Sequence, residues 1–259
     1  MSVLRRQVAI PAAAIVLMLS LAAPVSASHS WGGYHWARTA NPFTINLGDN
    51  VSGLWDSMLV TASNDWTQST VLNTAVVAGG TRAKTCRATA GRVEVCSARY
   101  GNTGWLGLAQ IWISGGQHIT QGIVKNNDYY FGNSTYTYNN TAEMQHVICQ
   151  EIGHTFGLGH QSEDGSSQNS CMDYYNNTSY LDTTSTRPNQ HDYDQLAAIY
   201  SHLDSSSTVG NAATGAAGAQ GAEQSSWGRL IASSNSGREQ TFRHDLGGGR
   251  SVITFVIWA

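Results

Sequence analysis

The stretch Cys149-Gln-Glu-Ile-Gly-His-Thr-Phe-Gly-Leu-Gly-His160 carries an amide, a carboxylate and two imidazoles at the spacing by which a helix and its exit turn hold zinc. On an α-helix, positions four apart lie about 40° apart around the axis and one turn up, so Gln150 and His154 project toward one point with Glu151 beside them. His160 reaches that point only if the chain turns back, because a continuing helix would carry it about 9 Å further along the axis. Gly157, able to take positive φ, permits the reversal, and Gly159 loosens the return. Three protein ligands and one open position are what a catalytic zinc needs; the pKa of its water falls toward about 7, and Glu151 stands where a general base would take that proton and deliver it to a leaving amine.

Gln150 occupies the place where the H-E-x-x-H pattern has its first histidine, and an amide oxygen is a weaker zinc donor than imidazole. Three arrangements follow: Gln150 ligates through its side-chain oxygen, water takes that position, or no metal is held. Retention of Glu151 and the turn glycines favours the first. His146 lies about 12 Å from His154 along a continuous helix, too far to replace Gln150 as a ligand, and reads as a packed or surface residue.

The elements that must position these groups are legible in the pattern. Asn140 with Glu143 three residues on resembles a capping box and starts the motif helix, which ends near Gly157. Leu54, Trp55, Met58, Leu59, Ala62 and Trp66 recur at spacings of three and four, predicting an amphipathic helix over about 52–68 whose stripe faces the core. One or two strands are expected within 34–47, and further strands at 72–78, 92–99, 106–114 and 118–126 between Gly- and Asn-rich turns. This order implies an α+β fold, a mixed twisted sheet with the first helix on one face. Leu106–Ser114 is the candidate edge strand for pairing an extended peptide, with an ordinary interior strand as the equal alternative. Residues 127–139 read as a surface loop in which Tyr130-Phe131 pack.

Glu151-x-x-His154-x-x-Gly157-x-x-His160, followed by Cys171-Met172-Asp173-Tyr174, resembles the metzincin metalloproteases, and Arg187–His202 resembles the closing helix of matrixin-like members. The resemblance covers about residues 30–204. It implies a metzincin-like catalytic domain with an active-site helix and a C-terminal helix, a Zn2+ cofactor held by His154, His160 and the residue at position 150, and Glu151 as base. It also implies a methionine turn with Met172 under the metal, and Tyr174 as zinc ligand or oxyanion stabiliser. The substrate would be a protein or peptide, hydrolysed by a monomeric, secreted endopeptidase. The alternative is a non-catalytic secreted binding module on the same fold.

Composition sets the context. The chain has 259 residues, 41% hydrophobic and 12% charged, with a formal net charge of -3, which argues against a nucleic-acid partner or an anionic membrane surface. Arg5 and Arg6, an apolar run from Val8 to Ala23 and the small residues Val25-Ser26-Ala27 read as a signal peptide over 1–27, with no membrane association after cleavage. In an oxidising compartment the four cysteines favour two disulfides. Three pairings are possible; local closure favours Cys86–Cys96 and Cys149–Cys171.

Beyond a domain over 28–204, residues 205–221 read as a flexible linker. Residues 222–259 read as a small β-rich extension, with strands near 228–233, 239–245 and 251–258, that is marginal alone and docks, binds or is removed. Glu163-Asp164-Gly165 reads as a solvated turn. His29, His35, His118, His191, His202 and His244 have no partner spacing and read as structural or exposed.

Overall fold

The computed structural model describes residues 29–210, 224–234 and 236–259; the expected signal peptide and most of the expected linker lie outside them. The class is α+β, with few helices and a mixed sheet. Strand β1 (His35–Trp36) precedes β2 (Phe43–Asn50), α1 (Leu54–Trp66), β3 (Leu72–Ala78), β4 (Val93–Ala98), β5 (Trp105–Ser114) and β6 (His118–Asn127). Then come the single turn α2 (Asp128–Phe131), the motif helix α3 (Thr141–His154) and α4 (Gln190–Ile199); after a 3-10 turn (Gln224–Ser226) follow β7 (Arg229–Ser233), β8 (Glu239–Gly247) and β9 (Arg250–Trp258).

The sheet order is β3-β2-β4-β6-β5-β9-β8-β7, with β1 beside the start of β6. Pairings among β2, β3, β4 and β6 are parallel, and those of β5, β9, β8 and β7 are antiparallel. Helices α1 and α3 pack against each other and on this sheet. Trp55, Met58, Leu59, Ala62 and Trp66 of the α1 stripe are buried, but Leu54, at the first helical position, is 60% exposed. Its place on the first turn puts it beyond the reach of the sheet.

The C-terminal residues form no separate unit. They extend the parent sheet: β9 runs antiparallel along β5, with Ala109 opposite Phe255 and Gln110 opposite Thr254. Alternation along β9 serves both faces of the sheet. Ile253, Phe255 and Ile257 join the main core under α3, whereas Val252 packs with Trp112, Ile123 and the Cys86–Cys96 pair, and Val256 with Trp105, Leu108 and Trp227. A hairpin of this size is marginal in water on its own, and pairing with a preformed sheet removes both its unpaired edge and its exposed apolar face.

Two expectations are corrected by this arrangement. Leu106–Ser114 is not a free edge, since β6 and β9 flank it. The first residues of the expected linker are tied down: Thr208 N donates to Ala37 O at 2.9 Å and Gly210 N to Gly91 O at 2.8 Å.

Both disulfides follow local closure, Cys86–Cys96 and Cys149–Cys171. They fit an oxidising compartment, and on the chain-entropy argument each stabilises by roughly 3 kcal/mol. No helix among the described residues is long and apolar enough to cross a membrane.

Because β9 shares one hydrogen-bond ladder with β5 and β6, its amides should exchange with solvent in the same slow class as those of β6. Native-state hydrogen exchange checks this; β9 amides exchanging ahead of β6 would make the tail an independent, weaker unit.

Candidate metal centre

Helix α3 starts as expected, Asn140 accepting from Glu143 N at 3.0 Å. The reciprocal half of a capping box is missing because the Glu143 carboxylate is engaged elsewhere, taking Asn177 N at 2.8 Å and Arg238 Nη2 at 2.6 Å. After its first residue, every position of the helix except Gln145 is buried. An almost wholly buried helix that carries Gln, Glu and two His must give those groups partners inside the protein.

The helix ends at His154 and the chain reverses where Gly157 takes φ +93. A Cβ there would stand 2.0 Å from Tyr34 O, so this turn excludes every other residue on both conformational and steric grounds. The reversal brings the His160 ring to 4.5 Å from that of His154. His154 Nδ1 lies 2.9 Å from Leu158 O, which fixes its proton there and leaves Nε2 as the donor atom for a cation.

The Cys149–Cys171 bridge holds the helix to the turn that carries Met172, which is fully buried. Gly153 permits that approach, since a Cβ at this position would be 2.5 Å from Met172 Sδ. Gln150 Nε2 donates to Asp173 O on the same turn at 2.9 Å, which turns Oε1 away from that turn and leaves it without a partner. The Tyr174 ring lies 4.3 Å from that of His160. Position 150 thus contributes a fixed amide oxygen without a hydrogen-bond partner. The Glu151 carboxylate sits against Gly107 of β5, and neither of its oxygens has a hydrogen-bond partner.

Two residues of the tail complete the centre, and the sequence offered no spacing by which to find them. Glu239, at the start of β8, places Oε2 2.7 Å from His160 Nε2. Phe255 of β9 lies flat on the His154 ring, 4.2 Å away with 4° between planes. Arg238 next to Glu239 anchors the hairpin to the first turn of α3 through Glu143 and lies over Tyr138. His146 is buried as expected and bonds Ser185 O through Nδ1 at 2.7 Å.

Electrostatics follow from burial. Desolvation, reinforced by Glu239, raises Glu151 well above the ordinary 4.5, and desolvation likewise raises Glu239. Burial and the neighbouring imidazole push His154 far down, and burial first, then His146, lowers His160 to about 3. Desolvation and then Glu239 raise the Tyr174 phenol well above its usual value, so it stays protonated. Both imidazoles are therefore in the neutral form that ligates metal.

Two trios of His and carboxylate donors with all ligand atoms within 4.8 Å occur among the described residues, and neither includes His154 or His160. No family model and no curated protein matches the chain.

Other sequence expectations resolve here. Asp164 lies in a solvated turn, where hydrogen bonds from Ser166 and Ser162 lower its carboxyl to about 2. His29, His35, His118, His191 and His202, expected to lack partners, are gathered by the fold around Asp192 and Asp204.

In metal-free protein, the raised folded-state values of Glu151 and Glu239 mean that the native state binds more protons than the unfolded chain above the ordinary 4.5, so stability falls as pH rises from there. Glu239→Gln should flatten that fall. Urea denaturation in the presence of a chelator at acidic and neutral pH measures it; equal pH slopes for variant and wild type would refute the coupling.

Proposed function

We propose that the chain is an exported zinc endopeptidase of metzincin type, held closed by its own C-terminal hairpin. The carrying observation is the set of buried polar atoms around the end of α3: Gln150 Oε1 and both Glu151 oxygens lack hydrogen-bond partners, and His160 Nε2 faces Glu239 Oε2 at 2.7 Å. Leaving that many polar atoms unpaired costs about 1–3 kcal/mol each, and a divalent cation is the group whose chemistry satisfies them together. Gln150, His154 and His160 would hold it. Bound there, zinc supplies a Lewis acid for a scissile carbonyl and lowers the pKa of water.

The remaining chemistry belongs to this chain's own groups. Glu151, desolvated against β5, accepts a proton from the attacking water and delivers it to the leaving amine nitrogen. Tyr174, kept protonated by burial, donates to the carbonyl oxygen as negative charge develops. The Cys149–Cys171 bridge and Met172 hold the floor so that these groups do not shift. A peptide substrate pairs along β5 in the extended form that β9 now adopts.

The hairpin occupies that substrate edge, and Glu239 faces the ligand His160. Hydrolysis therefore requires β9 to leave β5. The same occupancy favours a second reading, a non-catalytic secreted binding module, in which the hairpin is permanent. Residues 205–221 are rich in Ser, Ala, Gly and Thr, the composition of a segment that a protease can cut, and cleavage there would separate the hairpin from the rest of the chain.

Purified protein should contain stoichiometric zinc. It should show weak caseinolytic activity that rises at least about tenfold in Glu239→Ala combined with Phe255→Ala, is abolished by Glu151→Ala, and is accompanied by tighter zinc binding in Gln150→His. Protein without zinc, or hydrolysis indifferent to Glu151→Ala, would leave the binding-module reading.

A further inference from the structure

Outside the α3 centre, three histidines remote in sequence meet one carboxylate oxygen. His35 Nε2 lies 3.5 Å from Asp204 Oδ1, His118 Nε2 lies 3.2 Å from it and His202 Nε2 3.7 Å from it, while His202 Nε2 is 3.2 Å from His35 Nε2. We propose that His35, His202 and Asp204 form a second transition-metal site, of the kind zinc occupies, with His118 held against the Asp204 ligand as an outer partner.

The separations carry the proposal. Ligands at 2.0–2.1 Å from a tetrahedral zinc lie about 3.3–3.4 Å from one another, and the three contacts among His35, His202 and Asp204 bracket that spacing. The donor atoms of these three residues all lie within 4.8 Å of each other. Two imidazoles and a carboxylate suit zinc and its divalent first-row neighbours, not calcium or magnesium, which take oxygen ligands.

The surrounding bonds orient these ligands as a metal site demands. His35 Nδ1 lies 2.8 Å from Gly33 O, so its proton sits there and Nε2 presents a lone pair. Asp204 turns its other oxygen, Oδ2, to Arg38, accepting from the backbone N at 3.1 Å and from Nη1 at 2.9 Å, which leaves Oδ1 facing the imidazoles. Arg38 itself is fully buried beneath the Tyr200 ring. The parallel register of β1 on β6 sets His35 opposite His118, and the exit of α4 supplies the other two.

An entry path exists, since His202 and His118 side chains are 50% and 39% exposed while His35 is buried. Binding would tie the chain after α4 to β1 and the start of β6, residues 167 apart in sequence at the His35–His202 contact.

The test uses the full-length protein, stripped with a chelator, in which Zn2+ and Co2+ are titrated by calorimetry and by visible absorption. The comparison is between wild type, His202→Ala, His202→Cys and His118→Ala. Wild type should bind one equivalent of metal that His202→Ala loses, whatever the α3 centre contributes, because only the difference between the two proteins is read. Even loss of an outer-shell partner costs 10–100-fold in affinity, so loss of this ligand should cost at least about 100-fold. His202→Cys should keep the equivalent and add a thiolate-to-cobalt band, and His118→Ala should weaken binding at least about tenfold. Equal stoichiometry and affinity in wild type and His202→Ala, with unchanged circular dichroism, would overturn the proposal. So would a His202→Cys protein that binds metal without the thiolate band.

Discussion

The arrangement of this protein depends on the burial of a polar helix face. Gln150, Glu151 and His154 are all inside the protein, and a low-dielectric surrounding makes each unpaired donor or acceptor expensive. The structure answers this with fixed partners wherever backbone is in reach: Asp173 O for Gln150, Leu158 O for His154, Asn177 N for Glu143. Among the buried polar atoms that remain without a hydrogen-bond partner are Gln150 Oε1 and both Glu151 oxygens, which lie on this helix. Unpaired polar atoms on a buried helix face mark a candidate place for a ligand.

The tail belongs to the same constraint. β5 would otherwise end the sheet with unpaired backbone groups beside a polar centre, and β9 pairs them while setting Phe255 on His154. Arg238 and Glu239 extend the contact from the first turn of α3 to the ring of His160. The hairpin thus covers the same stretch of helix that the Cys149–Cys171 bridge clamps from the opposite end of the motif. Closing the centre and completing the core are one event, since Ile253, Phe255 and Ile257 fill the core under α3.

Local signals in the sequence were read well where one element carries the whole signal. The strands at 72–78, 93–98 and 118–127, the cap at Asn140, the exit at Gly157 and the two disulfides each rest on residues close in sequence, and each lies where its pattern placed it. The Trp and Met stripe of α1 is buried as its spacing placed it. For Leu106–Ser114 the pattern left edge and interior strand open, because strand order is not a local property; the partner that makes it interior lies about 145 residues later.

The chemistry divides in the same way. The twelve residues from Cys149 to His160 by themselves determine a helix and a reversal that brings His160 back to His154, since periodicity and glycine φ act over a few residues. Only the tertiary structure decided that Glu239 and Phe255 close that point, and that His35, His118 and His202 converge on Asp204. Those meetings depend on β-sheet register and on the path of the chain after α4, on elements far apart in the chain whose approach no spacing in the sequence encodes.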